Sequence, residues 1–223
     1  MRDSSRAWSG YLVTKPNGAV TCVEGAWVEP AVTCPPTGDR SMSIWVGIDG
    51  VRSASLGIDA LEPLIQVGTQ VDCRDGVESR YGWHEVYPTD PAVVPFGDIV
   101  NAGDRIEAQV RFIAGTFTLT LLNRTALTRE TVVVRAPGAS RVTAEWTVEA
   151  PSIGCPDSCA PATLPAFGPI RIRDAHVTID GRLGRIRGPW THDATDMIRD
   201  GITIVRTGAL FSTGDSFLVR RSN

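Results

Sequence analysis

Apolar residues recur at every second position in run after run of this chain. Met42, Ile44, Val46 and Ile48 alternate with Ser43, Trp45, Gly47 and Asp49. Ile106, Ala108, Val110 and Phe112 alternate with Glu107, Gln109 and Arg111. Phe117, Leu119 and Leu121 alternate with threonines, and Val142, Ala144, Trp146 and Val148 with Thr143, Glu145, Thr147 and Glu149. Ile170 and Ile172 alternate with Arg171 and Arg173. Successive residues of a strand point to opposite faces, so this period describes strands that bury one face. Turn signals separate the runs: Pro16-Asn17-Gly18, Asp49-Gly50, Asp75-Gly76, Gly103-Asp104, Pro137-Gly138 and Asp180-Gly181. Only 193–199 (DATDMIR) reads as weakly helical, with Gly201 as its stop. Many short strands without alternating helices predict an all-β sandwich or barrel. The segment from Glu149 to Pro165, rich in proline and cysteine, reads as irregular.

The chain has 223 residues, which suits one sandwich domain over 1–223. No repeat, linker or low-complexity segment divides it. The net charge of −3 gives no reason to expect a nucleic-acid or membrane partner. No apolar run is long enough to cross a membrane as a helix. The first residues, Met1-Arg2-Asp3-Ser4-Ser5-Arg6, are polar and do not form a signal peptide. The chain is thus either cytoplasmic or the product of leader removal. Five cysteines (Cys22, Cys34, Cys73, Cys155 and Cys159) lack the paired CxxC pattern of a structural zinc site. Neither HExxH nor GxSxG occurs, so neither a metallopeptidase nor a serine hydrolase is supported, and no cofactor or metal is expected.

The alternation also sorts the polar residues. With Val142, Ala144, Trp146 and Val148 in the core, Glu145 and Glu149 face the other way. So do Trp45 and Asp49 against Ile44, Val46 and Ile48. In 64–71 (LIQVGTQV), Ile65, Val67 and Val71 share one face and Gln66 and Gln70 the other. Tyr81, Trp83, Glu85 and Tyr87 share a face of the next run. Rings beside carboxylates and amides suit a groove for a polymeric substrate, the rings giving apolar contact and the polar groups orientation. The same composition also suits a plain solvated sheet face.

Six segments, in order, resemble the glutamic peptidases, or eqolisins. Trp45-Val46-Gly47-Ile48-Asp49-Gly50 is similar to that family's WVGIDG strand. Leu64-Ile65-Gln66-Val67-Gly68 is similar to the segment that carries its catalytic glutamine. Tyr81-Gly82-Trp83-His84-Glu85-Val86-Tyr87-Pro88 resembles its YxxWYEWYP strand, one residue shorter at the start. Ala144-Glu145-Trp146-Thr147-Val148-Glu149 resembles its AE-aromatic-IxE strand, whose first glutamate is catalytic. Ser5 to Gly10, with Trp8, and Gly25 to Pro30 resemble two N-terminal segments. The resemblance is strongest over residues 8–167. Two departures touch the groove: Gln70 stands where the family often has Asp, and His84-Glu85-Val86 replaces a Tyr-Glu-Trp.

The resemblance implies an antiparallel β-sandwich of the concanavalin-like jelly-roll kind, with a substrate groove on one sheet. It implies an acid-active, pepstatin-insensitive endopeptidase, secreted and monomeric, acting on polypeptides. Glu145 and Gln66 are its catalytic pair, with Trp8, Trp45, Asp49, Gln70, Trp83 and Glu85 lining the substrate. It further implies a bridge between Cys155 and Cys159, just beyond the catalytic-glutamate strand. Cys22 and Cys34 are then the next pair, leaving Cys73 free. Against strong acid stand 22 basic residues, all arginine but Lys15. As carboxylates neutralise, the net charge turns strongly positive, so a mildly to moderately acidic optimum is expected. The rival reading is a glycan-binding or glycan-hydrolysing jelly roll with Glu145 and Glu85 as an acid/base pair. Gln66 separates the two readings, since a glycosidase pair has no evident need of an amide there.

Overall fold

The alternating runs become strands in a computed structural model, which describes residues 2–15, 20–50, 63–90, 92–153 and 160–222. In chain order these are β1 (Arg2–Ser5), β2 (Trp8–Thr14), β3 (Val20–Val28), β4 (Val32–Thr33), β5 (Arg40–Ile48), β6 (Leu64–Arg74) and β7 (Val77–Tyr87). Next come β8 (Val94–Ile99), β9 (Arg105–Ile113), β10 (Thr116–Asn123), β11 (Thr128–Val134), β12 (Thr143–Glu149), β13 (Ser152–Ile153) and β14 (Ala160–Pro161). The last are β15 (Ala166–Phe167), β16 (Ile170–Ile179), β17 (Arg182–Arg185), β18 (Thr191–Arg199), β19 (Ile202–Thr207) and β20 (Phe217–Arg221). No helix occurs among the described residues.

The strands make a sandwich of two sheets. The front sheet runs β20-β19-β18-β2-β12-β5-β6-β7-β8 and the back sheet β11-β10-β9-β3-β16. Pairing is antiparallel except where β1 lies parallel to β18. Strand β16 belongs to both sheets: Ile170–Ile172 pair with β20, and the stretch from Arg173 to Ile179 pairs with β3. The ladder shifts register between Arg173 and His176, where Asp174 adopts a left-handed φ of 51°. A bulge of this kind bends a strand and lets it turn a sandwich corner.

The core lies between the sheets. Trp146, Val46, Ile44 and Val67 from the front meet Trp27, Val23, Val110, Leu119 and Phe117 from the back, all buried. Trp146 spans the gap, its indole N–H donating to the Glu24 carbonyl at 2.7 Å. Gly25 makes room for that ring, since a Cβ there would come 2.8 Å from Trp146 Cδ1. At one end the core holds charge. Arg80 Nη1 donates to Glu29 Oε1 at 3.0 Å, and Glu29 Oε2 accepts from Thr69 at 2.7 Å.

Three sequence expectations change here. Residues 193–199 are not helical but lie in β18, which pairs with β2, β1 and β19 along its length. Neighbours that need its backbone groups override a weak helical pattern. The 149–165 segment carries the short β13–β14 ladder. Cys34, not Cys22, pairs with Cys73, their Cα atoms 5.4 Å apart. Cys22 is a free thiol on β3, in register with Arg111 and Thr178, and so faces away from the core. The Cys155–Cys159 expectation lies outside the described residues.

Candidate active site

Register decides which side chains meet. Across the front sheet, Asp193, Leu12, Glu145, Gly47, Gln66 and Glu85 form one lateral row on six adjacent strands. The next row on the same face is Thr195, Gly10, Thr147, Trp45, Gly68 and Trp83. A third holds Trp8, Glu149, Ser43, Gln70 and Tyr81. Residues opposite one another in a ladder project to the same side. The fold thus gathers Trp8, Trp45, Gln66, Gln70, Trp83, Glu85 and Glu145 onto one face.

That face is not a solvated surface. Glu145 is 1% exposed, Gln66 5%, Trp45 5% and Trp83 1%. The aromatic side chains Trp45 and Trp83 are therefore packed within the site. Glycines give them space: a Cβ on Gly68 would fall 2.6 Å from that of Trp45, and one on Gly47 would fall 3.0 Å from Trp45 Cζ3.

Hydrogen bonds orient part of the set. Gln66 Nε2 donates to Glu85 Oε2 at 2.5 Å, and Trp45 Nε1 to Glu149 Oε2 at 2.7 Å. Ser43 donates to Gln70 Oε1 at 2.9 Å, and Gln70 Nε2 to Asp72 Oδ1 at 2.9 Å. Asp72 also accepts from Ser41 and Tyr81. A carboxylate thus stands two residues beyond Gln70, on the same face and bonded to it.

Asp49 does something else. Its carboxylate accepts the backbone N–H of Arg141 at 2.6 Å and of Val142 at 2.9 Å, just before β12 begins. It ties the end of β5 to the start of the Glu145 strand. Other polar groups of the face are unsatisfied. Among the described residues no hydrogen-bond partner meets either carboxylate oxygen of Glu145, Gln66 Oε1, the hydroxyls of Thr143 and Thr147, or the Trp83 indole N–H. Buried polar atoms nearly always have partners, so a cluster of exceptions on one face is consistent with a catalytic or binding role.

Residues 6–216 match the model of the Peptidase A4 family. The chain belongs to that family, the glutamic peptidases. It is therefore a hydrolase of peptide bonds. Its fold is similar to scytalido-glutamic peptidase solved with a transition-state analogue inhibitor (TM-score 0.79, 18% identity, 98% of this chain and 99% of that one). It is also similar to SCP-B, an eqolisin in complex with the tripeptide Ala-Ile-His (TM-score 0.76, 17% identity, 98% and 99%). Aspergilloglutamic peptidase from Aspergillus niger superposes at TM-score 0.66 with 25% identity, over 82% of this chain and 99% of that one. No curated protein sequence matches the chain.

In this glutamic peptidase the face carries three carboxyl groups displaced toward the protonated form. Burial pushes Glu145 well above the ordinary range; the Thr143 hydroxyl, near but not at hydrogen-bond geometry, opposes this, and the charge of Asp49 adds to it. Burial raises Glu85 to about 7, against the Gln66 hydrogen bond and with help from Glu149 and Asp90. Burial also raises Glu149 to about 7, against the Trp45 hydrogen bond. A separate hollow of ≈ 450 Å³ lies on the outer face of the back sheet, lined by Glu24, Gln109, Arg129 and His176 among others. It contains none of the candidate catalytic or substrate-lining residues.

Sequence reasoning missed three members of the face. Thr143 and Thr147 share the parity of Glu145, so alternation could have named them. Asp193 stands in the Glu145 row but was hidden by the helical reading of its segment.

Proposed function

We propose that this peptidase is a glutamic endopeptidase in which Glu145 activates water and Gln66 stabilises the oxyanion. The observation that carries this reading is the pair of unpartnered Glu145 carboxylate oxygens and the unpartnered Gln66 carbonyl in the same lateral row, two strands apart across Gly47. Ionised Glu145 takes a proton from a water molecule, and the resulting hydroxide adds to the substrate carbonyl carbon. The carbonyl π electrons move to oxygen, and a Gln66 N–H donates to that oxyanion. Glu145 then passes its proton to the amide nitrogen as the C–N bond breaks, which leaves a carboxylic acid and an amine. Trp8, Trp45, Gln70 and Trp83 line the substrate chain.

Glu145 must be ionised to begin, and burial holds its carboxyl toward the protonated form. This favours mildly acidic rather than strongly acidic working conditions. The arginine content favours the same range. The full reading is one domain over 1–223, secreted and monomeric, insensitive to pepstatin, without cofactor, and with neither nucleic acid nor membrane as a partner. No helix among the described residues is long and apolar enough to cross a membrane.

The test is incubation with a denatured protein from pH 2 to 8, read by mass spectrometry. Glu145→Gln should fold and lose turnover, because an amide cannot shuttle the proton. Gln66→Ala should lose on the order of 100- to 1,000-fold in kcat, as expected for one oxyanion donor. Full turnover in Glu145→Gln overturns the proposal.

A further inference from the structure

Glu85 touches no atom of the proposed proton path, yet its contact with Gln66 bears on how that residue works. A glutamine side chain has two nearly isosteric orientations, and catalysis needs one of them. The amide must present an N–H to the oxyanion while its carbonyl receives the water. A neighbour that can only accept removes the ambiguity, because only the NH₂ end can face it.

We infer that Glu85 is a positioning residue, which fixes the orientation of the Gln66 amide by accepting one of its two N–H groups. The inference rests on the proposed role of Gln66. The geometry that supports it is the 2.5 Å bond from Gln66 Nε2 to Glu85 Oε2 and the direct opposition of the two residues in the β6–β7 ladder. With one N–H so engaged, the second N–H and the carbonyl are left for a ligand, and that carbonyl is buried and unpartnered among the described residues.

Burial opposes the charged form of Glu85 and, against the Gln66 hydrogen bond and with smaller additions from Glu149 of β12 and Asp90 of the turn after β7, raises its titration to about 7. Ionised, Glu85 can only accept, and it locks the amide. Protonated, it can also donate to the Gln66 carbonyl, so the lock weakens. The orientation of Gln66 therefore follows the titration of Glu85: in mild acid the protonated carboxyl still accepts the N–H through its carbonyl oxygen, and the lock is tightest toward the neutral end of the working range.

Side-chain amide NMR tests the contact without reference to activity. The Gln66 NH₂ signals, assigned by their absence in Gln66→Ala, should shift with a midpoint near that of Glu85. In Glu85→Ala the shift should vanish. Signals indifferent to both pH and the substitution overturn the inference. Kinetics tests the consequence. Glu85→Ala should lower kcat by about 10- to 100-fold with little change in KM, since the reacting groups are misplaced rather than removed. Glu85→Gln restores an acceptor, so it should recover much of that kcat but lose the pH step that Glu85 imposes. Unchanged kcat in a folded Glu85→Ala enzyme also overturns the positioning role. Parent-level turnover in Gln66→Ala instead removes the catalytic role of Gln66, while the NMR titration still judges the contact.

Discussion

Gln66 and Glu145 stand in one lateral row of the front sheet with Gly47 alone between them. Two strand spacings separate their backbones by roughly 10 Å, a gap that two long polar side chains can close around a water and a carbonyl. The residue between them must therefore have no side chain of its own.

Gly47→Ala tests this directly. The new Cβ would lie 2.9 Å from Leu64 Cδ1 and 3.0 Å from Trp45 Cζ3, and the indole cannot yield as a leucine methyl can. The variant should fold with a loss of about 1–2 kcal/mol, as overpacking typically costs. Its kcat should fall at least tenfold through displacement of Trp45 and crowding of the pair. Urea unfolding and turnover measure the two effects, and parent-like kcat would contradict the account.

The raised carboxyls make stability depend on pH with a definite sign. Glu85 and Glu149 titrate at about 7 in the fold, against ~4.3 for an unperturbed glutamate. The folded state thus holds protons that the unfolded chain has released. Their contribution is complete below the unfolded value and is lost as pH rises through 7. After solvent screening, each is worth on the order of 2 kcal/mol. The urea midpoint should therefore be higher at pH 5 than at pH 7.5, and Glu85→Gln with Glu149→Gln should flatten the difference. A midpoint that falls from pH 7.5 to pH 5 would show that arginine repulsion dominates already in mild acid.

Arg80 and Glu29 are the charged pair whose loss should cost most. Their side chains are 4% and 1% exposed, and they join the residue just after β3 of the back sheet to β7 of the front. Arg80→Met leaves the carboxylate buried without its cation, which typically costs about 3–5 kcal/mol. The double variant with Glu29→Gln should recover part of that loss. Denaturant melts of the three proteins decide the matter, and a loss below about 1 kcal/mol in the single variant argues against it.

The Cys34–Cys73 bridge predicts which thiols react. In denatured, unreduced protein Cys22 should take up an alkylating reagent, while Cys34 and Cys73 should not until a reductant is added. The bridge closes 39 residues of chain. Cys73→Ser should therefore cost on the order of 2–4 kcal/mol. Peptide mapping that finds Cys34 alkylated before reduction would refute the pairing.

Most of the fold and the face was legible because parity is a local property of a strand. Once Trp146 and Val46 are assigned to the core, Glu145 and Trp45 must face the other way. What parity cannot give is register. That Glu145 faces Gly47, and Gly47 faces Gln66, depends on long-range pairing that no single run encodes. The same limit misplaced the disulfide, since which cysteines meet depends on how β4 and β6 come together. It also hid the work of Asp49, a carboxylate in the right motif whose partners are backbone amides 92 and 93 residues further on. Burial was the last thing missing, because alternation says which way a residue points and not what lies over it.

Strand β16 leaves one sheet and enters the other through the bulge at Asp174. At that corner the two layers are bound like the pages of a book at its spine. Any breathing of the sandwich must pivot there, with the widest excursion at the opposite margin, where β7 and β8 end the front sheet. Glu85, and through it the Gln66 amide, hang from that outer margin, whereas Glu145 lies nearer the spine. Flexing of the front sheet would thus displace Gln66 more than Glu145.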